Sequence, residues 1–281
     1  MMDRDRIKSM LVPALVYVGL AIGLLWVAFP ILWMVSNSLK TNAEIFALPP
    51  SIIPRNLTLD PYIAIFTDPA KLRFFFNSYL VAGTVTLATL LVAILAAYAL
   101  SRYNFMFKGT LIAFVISTQT VPPISLLIPY FGLVVAFRIF DSYLALILTY
   151  LVFTLPYAIL LMTGYFNTLP KDLDEAVAVD GGSTWTTLWR VLVPVSLPGI
   201  VATGVYTFLL AWNEFLFALT LTKSTDMRTV PIGIQMLMGQ HAFEWNEMMA
   251  MSVLGSLPLL LLFLLAQRHF FAGMTAGAVK S

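Results

Sequence analysis

The chain has 281 residues, 60% hydrophobic and 11% charged, and its mean hydropathy is +0.89. Ordinary soluble domains carry roughly 45–50% and about 25%, so a water-soluble globule is excluded. Sixteen basic and 14 acidic side chains leave a net charge of +2 spread along the chain, with no cationic footprint for nucleic acid, and the absence of cysteine removes disulfides and thiolate sites.

Six stretches lack Asp, Glu, Lys and Arg: 9–39, 74–101, 109–137, 142–170, 191–213 and 248–267. About 20 apolar residues in a helix cross the ~30 Å hydrocarbon core of a bilayer, so each stretch is long enough. Backbone survives there only with its hydrogen bonds closed internally, and the short alternating segments of a barrel are absent. The pattern therefore predicts an all-α, polytopic membrane protein with six transmembrane helices, at about 11–35, 75–100, 110–136, 143–166, 196–222 and 248–267. No connection is long enough to fold alone, so 1–281 reads as a single transmembrane domain.

The first stretch follows Arg4, Arg6 and Lys8, as a signal peptide's apolar region would. Its apolar part exceeds the roughly 7–15 residues of such a region and no small-residue cleavage site follows, so it reads as a retained span. Beyond it, 40–73 is rich in Pro, Asn and Asp and should be a partly extended outer loop. With the N-terminus inside, the inner segments hold nine basic residues and the outer ones seven, a slight preference for both termini inside.

In the third stretch, Ser117, Thr118, Gln119 and Thr120 precede Pro122-Pro123, which places a polar kink near midmembrane. Such a break is tolerated where it lines a cavity; packing between helices is the commoner use of small polar residues.

The inner connection 167–194 is patterned. Asp172, Asp174 and Glu175 cluster where a helix's first turn favours acids, and Leu173, Ala176 and Val177 fall at i, i+3, i+4. Asp180-Gly181-Gly182 breaks that helix. Ser183 is suited to cap a second, in which Trp185, Leu188, Trp189 and Leu192 repeat the spacing until Pro194 stops it. Each arm of this hairpin has an apolar stripe. It either packs onto the protein's own helix ends, the commoner use, or docks in a partner's groove with the acids at the rim.

Glu214 is the one acid inside an apolar run, beside Asn213. An ionisable group at membrane depth marks a functional candidate, here either facing a pathway or partner helix or making a structural hydrogen bond between helices. In the connection 223–247, the segment 229–243 is charge-free, short, and holds Pro231, Gly233 and Gly239, which suits an interfacial or dipping segment. His241 and His269 are too far apart to suggest a metal pair, and no GxxxxGK[ST] phosphate loop is present.

The run Glu175-Ala176-Val177-Ala178-Val179-Asp180-Gly181-Gly182, followed by Val193-Pro194-Val195-Ser196-Leu197-Pro198, resembles the EAA loop of permease subunits of bacterial ABC importers. Ser38-Leu39-Lys40, Leu57-Thr58-Leu59-Asp60, Asn77-Ser78, Ala97-Tyr98-Ala99-Leu100-Ser101-Arg102, Ala211-Trp212-Asn213-Glu214 and Gly273 to Lys280 extend the likeness over nearly the whole chain. Together they are similar to the shorter, six-span partner in maltose-type sugar permeases. Two positions depart from that pattern, Val177 and Gly182, where Ala is usual at both.

The resemblance implies a type I ABC importer permease that catalyses nothing itself. It would pair with a second permease subunit in the bacterial cytoplasmic membrane, bounded by lipid. An ATP-binding cassette ATPase dimer would bind ATP and Mg on the cytoplasmic side, and an extracytoplasmic sugar-binding protein would deliver a di- or oligosaccharide. Glu175, Ala176, Asp180, Gly181, Gly182 and Trp185 would form the ATPase-coupling element, with Glu175 meeting a basic residue, Gly181 at the turn, loop 167–194 cytoplasmic and both termini with it. Asn213 and Glu214 would contact the pathway or a neighbouring helix. The tail 273–281 is a disordered terminus by default, and the resemblance carries it to the ATPase interface. The rival reading is a self-sufficient ion-coupled secondary transporter, for which Glu214 is the one ionisable group in a span; an intramembrane hydrolase finds no paired nucleophile and base.

Overall fold

The computed structural model describes residues 4–239 and 244–278, with side chains described over 13–239 and 244–267. Its elements are helices joined by turns, in this order: α1 (Arg4–Ser38), α2 (Asn42–Ile45), α3 (Asp60–Thr67), α4 (Pro69–Arg102), α5 (Lys108–Thr118), a 3₁₀ turn (Pro123–Leu126), α6 (Leu127–Ala136) and α7 (Tyr143–Asn167). Then come α8 (Asp172–Val179), α9 (Thr184–Thr186), a π-helical turn (Thr187–Leu192), α10 (Val193–Val195), α11 (Leu197–Trp212) and α12 (Leu216–Leu221). A 3₁₀ turn (Thr225–Met227), α13 (Val230–Met236) and α14 (Trp245–Ala278) complete the chain. Among the described residues, four helices are long and apolar enough to cross a membrane, and two strongly bent helix pairs raise the number to as many as six.

The contacts divide into two compact units, one within Met1–Asp68 and Ile234–Leu254, the other within Pro69–Gly233 and Gly255–Ser281. In the first unit, α1 exposes apolar residues on every side over 13–27, Leu15, Leu24 and Trp26 among them; Trp26 is 82% exposed. The connection after it is organised by two charges. Lys40 is buried; its ammonium donates to Asn37 Oδ1 (2.9 Å) and Ser51 O (2.5 Å) and sits 4.8 Å from the Trp33 ring centroid. Glu44 accepts from the N–H of Arg55 (2.7 Å), the hydroxyl of Ser51 (2.9 Å) and the N–H of Asn56 (3.3 Å), and these bonds hold its pKa below the ordinary carboxylate value. The expected outer loop is thus two short helices joined by a pinned, irregular segment.

In the second unit α4, α7 and α11 pack together through small residues, which let helices approach closely where the surrounding lipid gives no hydrophobic drive. Ala93, Ala97 and Ala158 are fully buried, and the Thr89 and Thr154 hydroxyls pair at 2.9 Å between α4 and α7. At Gly199 on α11, a Cβ would lie 2.5 Å from the Tyr165 ring, so the glycine permits the crossing.

Two expected spans are interrupted. The third consists of Lys108–Thr118 and Pro123–Ala136, meeting at 94°. The fifth runs through α11 to Trp212, breaks at Asn213 to Phe215, and resumes as α12. The segment near Pro231 forms the short helix α13, with Ile232 and Gly233 buried. Helix α14 carries through Gly273 to Ala278, in place of the disordered tail that is the default there; residues 279–281 and His241 lie outside the described residues, as does the His269 side chain.

Candidate functional site

The 167–194 connection folds as the helix-turn-helix that its pattern predicts. Helix α8 opens with Asp172, Asp174 and Glu175 in its first turn. Its end is set by glycine chemistry. Gly181 has φ +74°, a left-handed conformation costly for a side chain, and nothing crowds its α-carbon. Gly182 donates to Val177 O at 2.8 Å, and a Cβ there would lie 2.4 Å from Val177 Cγ1 and 3.0 Å from Val177 O. The two departures from the EAA pattern therefore touch each other: the larger side chain at 177 occupies the space that an alanine at 182 would need.

Ser183 starts the second arm as a cap, its hydroxyl accepting from Thr186 N–H at 3.3 Å. The arm differs from expectation at its far end. Pro194 does not stop it at once: helical backbone runs from Thr184 through the proline to Val195. The chain instead turns by 77° at Ser196. The helix widens to a π turn over Thr187–Leu192, and Leu188 and Leu192 are both buried.

The apolar stripes divide between two environments. Leu188 and Leu192 join Ala93, Ala97, Met162 and Phe166 in one buried cluster, with Leu173, Trp189 and Val193 packed on it. Glu175, Ala176, Asp180, Gly181 and Trp185 face outward with Val179; Val179 is 88% and Trp185 63% exposed, and Trp185 meets Trp189 edge-on at 5.6 Å. Gly182 is half-buried. One face of the hairpin is thus fixed to the membrane helices, and the other presents acids and large apolar groups side by side.

Arg102, the last residue of α4, makes the attachment. Its Nε lies 2.9 Å from Asp174 Oδ2, and Nη1 donates to the carbonyls of Phe166 and Leu169, each at 3.2 Å. Tyr98 donates to Asp174 Oδ1 at 3.4 Å. The C-terminal end of α7 thereby gains a cation. An open cleft of about 300 Å³ remains between α4 and the hairpin, lined by Tyr98, Arg102, Lys171, Glu175 and Thr184 among others. Sequence reading missed this anchor. Its signal was an arginine closing a charge-free run and an aspartate between the inward-facing Leu173 and Val177.

Glu214 lies apart from the hairpin, at the break between α11 and α12. Its carboxylate accepts from Phe217 N–H (2.9 Å), Ala218 N–H (3.0 Å) and the hydroxyl of fully buried Tyr150 (2.7 Å). These bonds cap α12 and tie it to α7, the structural use of the acid. Asn213 is exposed, and its amide donates to Leu209 O at 2.9 Å.

Apolar spans, two of them interrupted, and an anchored hairpin with an open outer face describe a membrane protein. The family described as binding-protein-dependent transport system inner membrane component matches residues 89–276, and the chain belongs to it. It is 37% identical over 252 residues to the sulfoquinovosyl glycerol transport system permease protein SmoH of Agrobacterium fabrum, covering 90% of this chain and 88% of that one. It is 36% identical over 255 residues to the trehalose/maltose transport system permease protein MalG of Thermococcus litoralis, 90% of this chain and 91% of that one. The fold matches a chain of a bacterial ABC transporter involved in the import of the acidic polysaccharide alginate, with a TM-score of 0.78 and 19% identity over 96% of this chain and 99% of the other. The protein is a multi-pass ABC importer permease with the type I fold. The ion-coupled alternative falls: the family is binding-protein-dependent, and Glu214 is engaged in capping.

Proposed function

We propose that this chain is the shorter permease of a heteromeric sugar importer, working as one membrane domain over 1–281, and that its 167–194 hairpin is gripped by a separate ATPase dimer. The observation that carries this is the division of the hairpin: Leu188, Leu192 and the Arg102–Asp174 pair fix one face, while Glu175, Ala176, Val179 and Trp185 are offered on the other. A stiff element held on one side and open on the other can pass a partner's movement to the spans. ATP and Mg would be bound by that partner, and hydrolysis would take place there; both termini and the hairpin would be cytoplasmic. A second permease would complete the pathway, and an extracytoplasmic binding protein would deliver the sugar, a di- or oligosaccharide. The names of the relatives, which transport trehalose, maltose and arabinooligosaccharides, support the substrate class.

Copurification tests the reading. An ATPase should be retained by the tagged wild-type chain and lost, with the protein still inserted, on Glu175→Arg or Val179→Asp. Retention of the ATPase by both variants would refute the docking role.

A further inference from the structure

The coupling role leaves the break in the third apolar stretch unexplained. Residues 119–122 separate α5 from Pro123–Ala136, and beside this break lies a cavity of about 270 Å³. Tyr130, Phe153 and Phe217 wall it: the Tyr130 and Phe217 centroids are 5.7 Å apart, and Phe153 and Phe217 lie 6.1 Å apart and 15° from parallel. Thr118 and Gln119 supply the polar side. The Thr118 hydroxyl is occupied by Val115 O at 2.7 Å, whereas the Gln119 amide and the Tyr130 hydroxyl make no hydrogen bond with the described residues.

Gln119 is exposed and Tyr130 half-buried, so their polar groups are open to a ligand beside the aromatic wall. A pyranose ring suits both. Its C–H face suits an aromatic wall, and its hydroxyls donate and accept, as the amide and phenol do. The volume sits just under the ~300–1,000 Å³ usual for ligand pockets, which fits one ring and not an oligosaccharide. Glu214 shapes the wall: it accepts from the Phe217 N–H and from Tyr150, whose ring centroid is 5.5 Å from that of Phe153.

We propose that this cavity is a subsite for a single sugar ring on the transport pathway, with Phe153 and Phe217 against the ring, Gln119 and Tyr130 bonded to its hydroxyls, and Glu214 as a positioning residue. This rests on the reading of the assembly as a sugar importer. The test is ATP-dependent uptake by the complete transporter in liposomes, with saturating sugar-loaded binding protein and labelled maltose, trehalose, sulfoquinovosyl glycerol and arabinotriose as probes. Tyr130→Phe removes one oxygen and keeps the packing, so it should fold; Gln119→Leu is near in size.

Each should lower uptake about three- to tenfold, the worth of one or two hydrogen bonds, and should change the order of preference among the probes. Wild-type rates with an unchanged order in both variants would overturn the subsite and assign the cavity to packing or to a lipid chain. A wild-type assembly that hydrolyses ATP on addition of loaded binding protein yet imports none of the four would instead overturn the sugar reading beneath it.

Discussion

Two breaks between helices of the second unit are made in chemically different ways. At 180–183 the break uses backbone freedom: Gly181 adopts a left-handed conformation and Gly182 makes room for Val177, with no charged side chain holding the turn. At 213–215 it uses a carboxylate, as Glu214 takes up two amide N–H groups and a buried hydroxyl. The hairpin turn is exposed, so water satisfies whatever the helix ends leave open. The other break lies within an apolar stretch, where amides freed from a helix must find a partner in the protein. A glycine turn inside the span would leave those donors without acceptors, and a carboxylate at the hairpin would gain little, since water competes for its bonds.

The largest effect should follow from removing the carboxylate. Glu214→Ala leaves Phe217 N–H, Ala218 N–H and the Tyr150 hydroxyl without acceptors, a loss on the order of 3–5 kcal/mol. Fluorescence-detected size-exclusion of the tagged protein should show little folded material. Glu214→Gln keeps one acceptor oxygen and should recover part of that yield. Equal yields for the alanine variant and wild type would mean that the cap contributes nothing.

Gly181→Val should leave yield unchanged and act on transport. A non-glycine residue at φ +74° costs about 1–2 kcal/mol, and a β-branched one is at the high end, too little to unfold the protein but enough to displace the turn. Insertion and yield should match wild type while uptake falls at least about tenfold. Gly181→Asn, which tolerates the left-handed region, should keep most of the uptake. If valine transported as asparagine does, the turn geometry would not matter to coupling.

A smaller effect is expected next door. Gly182→Ala places its Cβ against Val177 Cγ1, a stiff β-branched group on a helix, and should destabilise by about 1–2 kcal/mol. Adding Val177→Ala removes that contact, so the double variant should melt closer to wild type than the sum of the single changes gives. The carbonyl of Val177, 3.0 Å from the new methyl, keeps the rescue incomplete. Additive losses would show that the two departures from the EAA pattern are unrelated.

Much of this was legible because it is local. Charge-free runs marked the apolar helices, and Ser183 and Gly181 announced the cap and turn through their own backbone chemistry. The faces of the hairpin were less legible. Ala176 and Val177 share one stripe by spacing, yet Ala176 is exposed and Val177 half-buried, since periodicity finds a stripe without fixing its centre. Tyr150 and Glu214, 64 residues apart, pair only because α7 and the α12 break meet. Arg102 reaches Asp174 likewise, at a helix end that nothing nearby in sequence defines. Pro194 marked the end of the arm one residue early, since helical backbone continues to Val195.

The smallest expected effect lies in a half-buried turn that also uses a carboxylate. Asp141 sits at φ +59° and accepts from the N–H groups of Lys223 (2.8 Å) and Ser224 (3.1 Å). Partial burial alone would raise its pKa; the bonds from Lys223 and Ser224, with the Arg228 charge, outweigh this and hold it below the ordinary carboxylate value. A depressed folded pKa means that this contribution is present above the unfolded value and is lost as pH falls through the folded one. The melting temperature should therefore drop below about pH 4, modestly because the group is partly solvated. Asp141→Asn tolerates the same backbone region and keeps an acceptor without titrating, so its melting temperature should be slightly lower at neutral pH and converge on wild type in acid. A constant difference between the two across that range would mean that the amide bonds, and not the charge, carry all that Asp141 contributes.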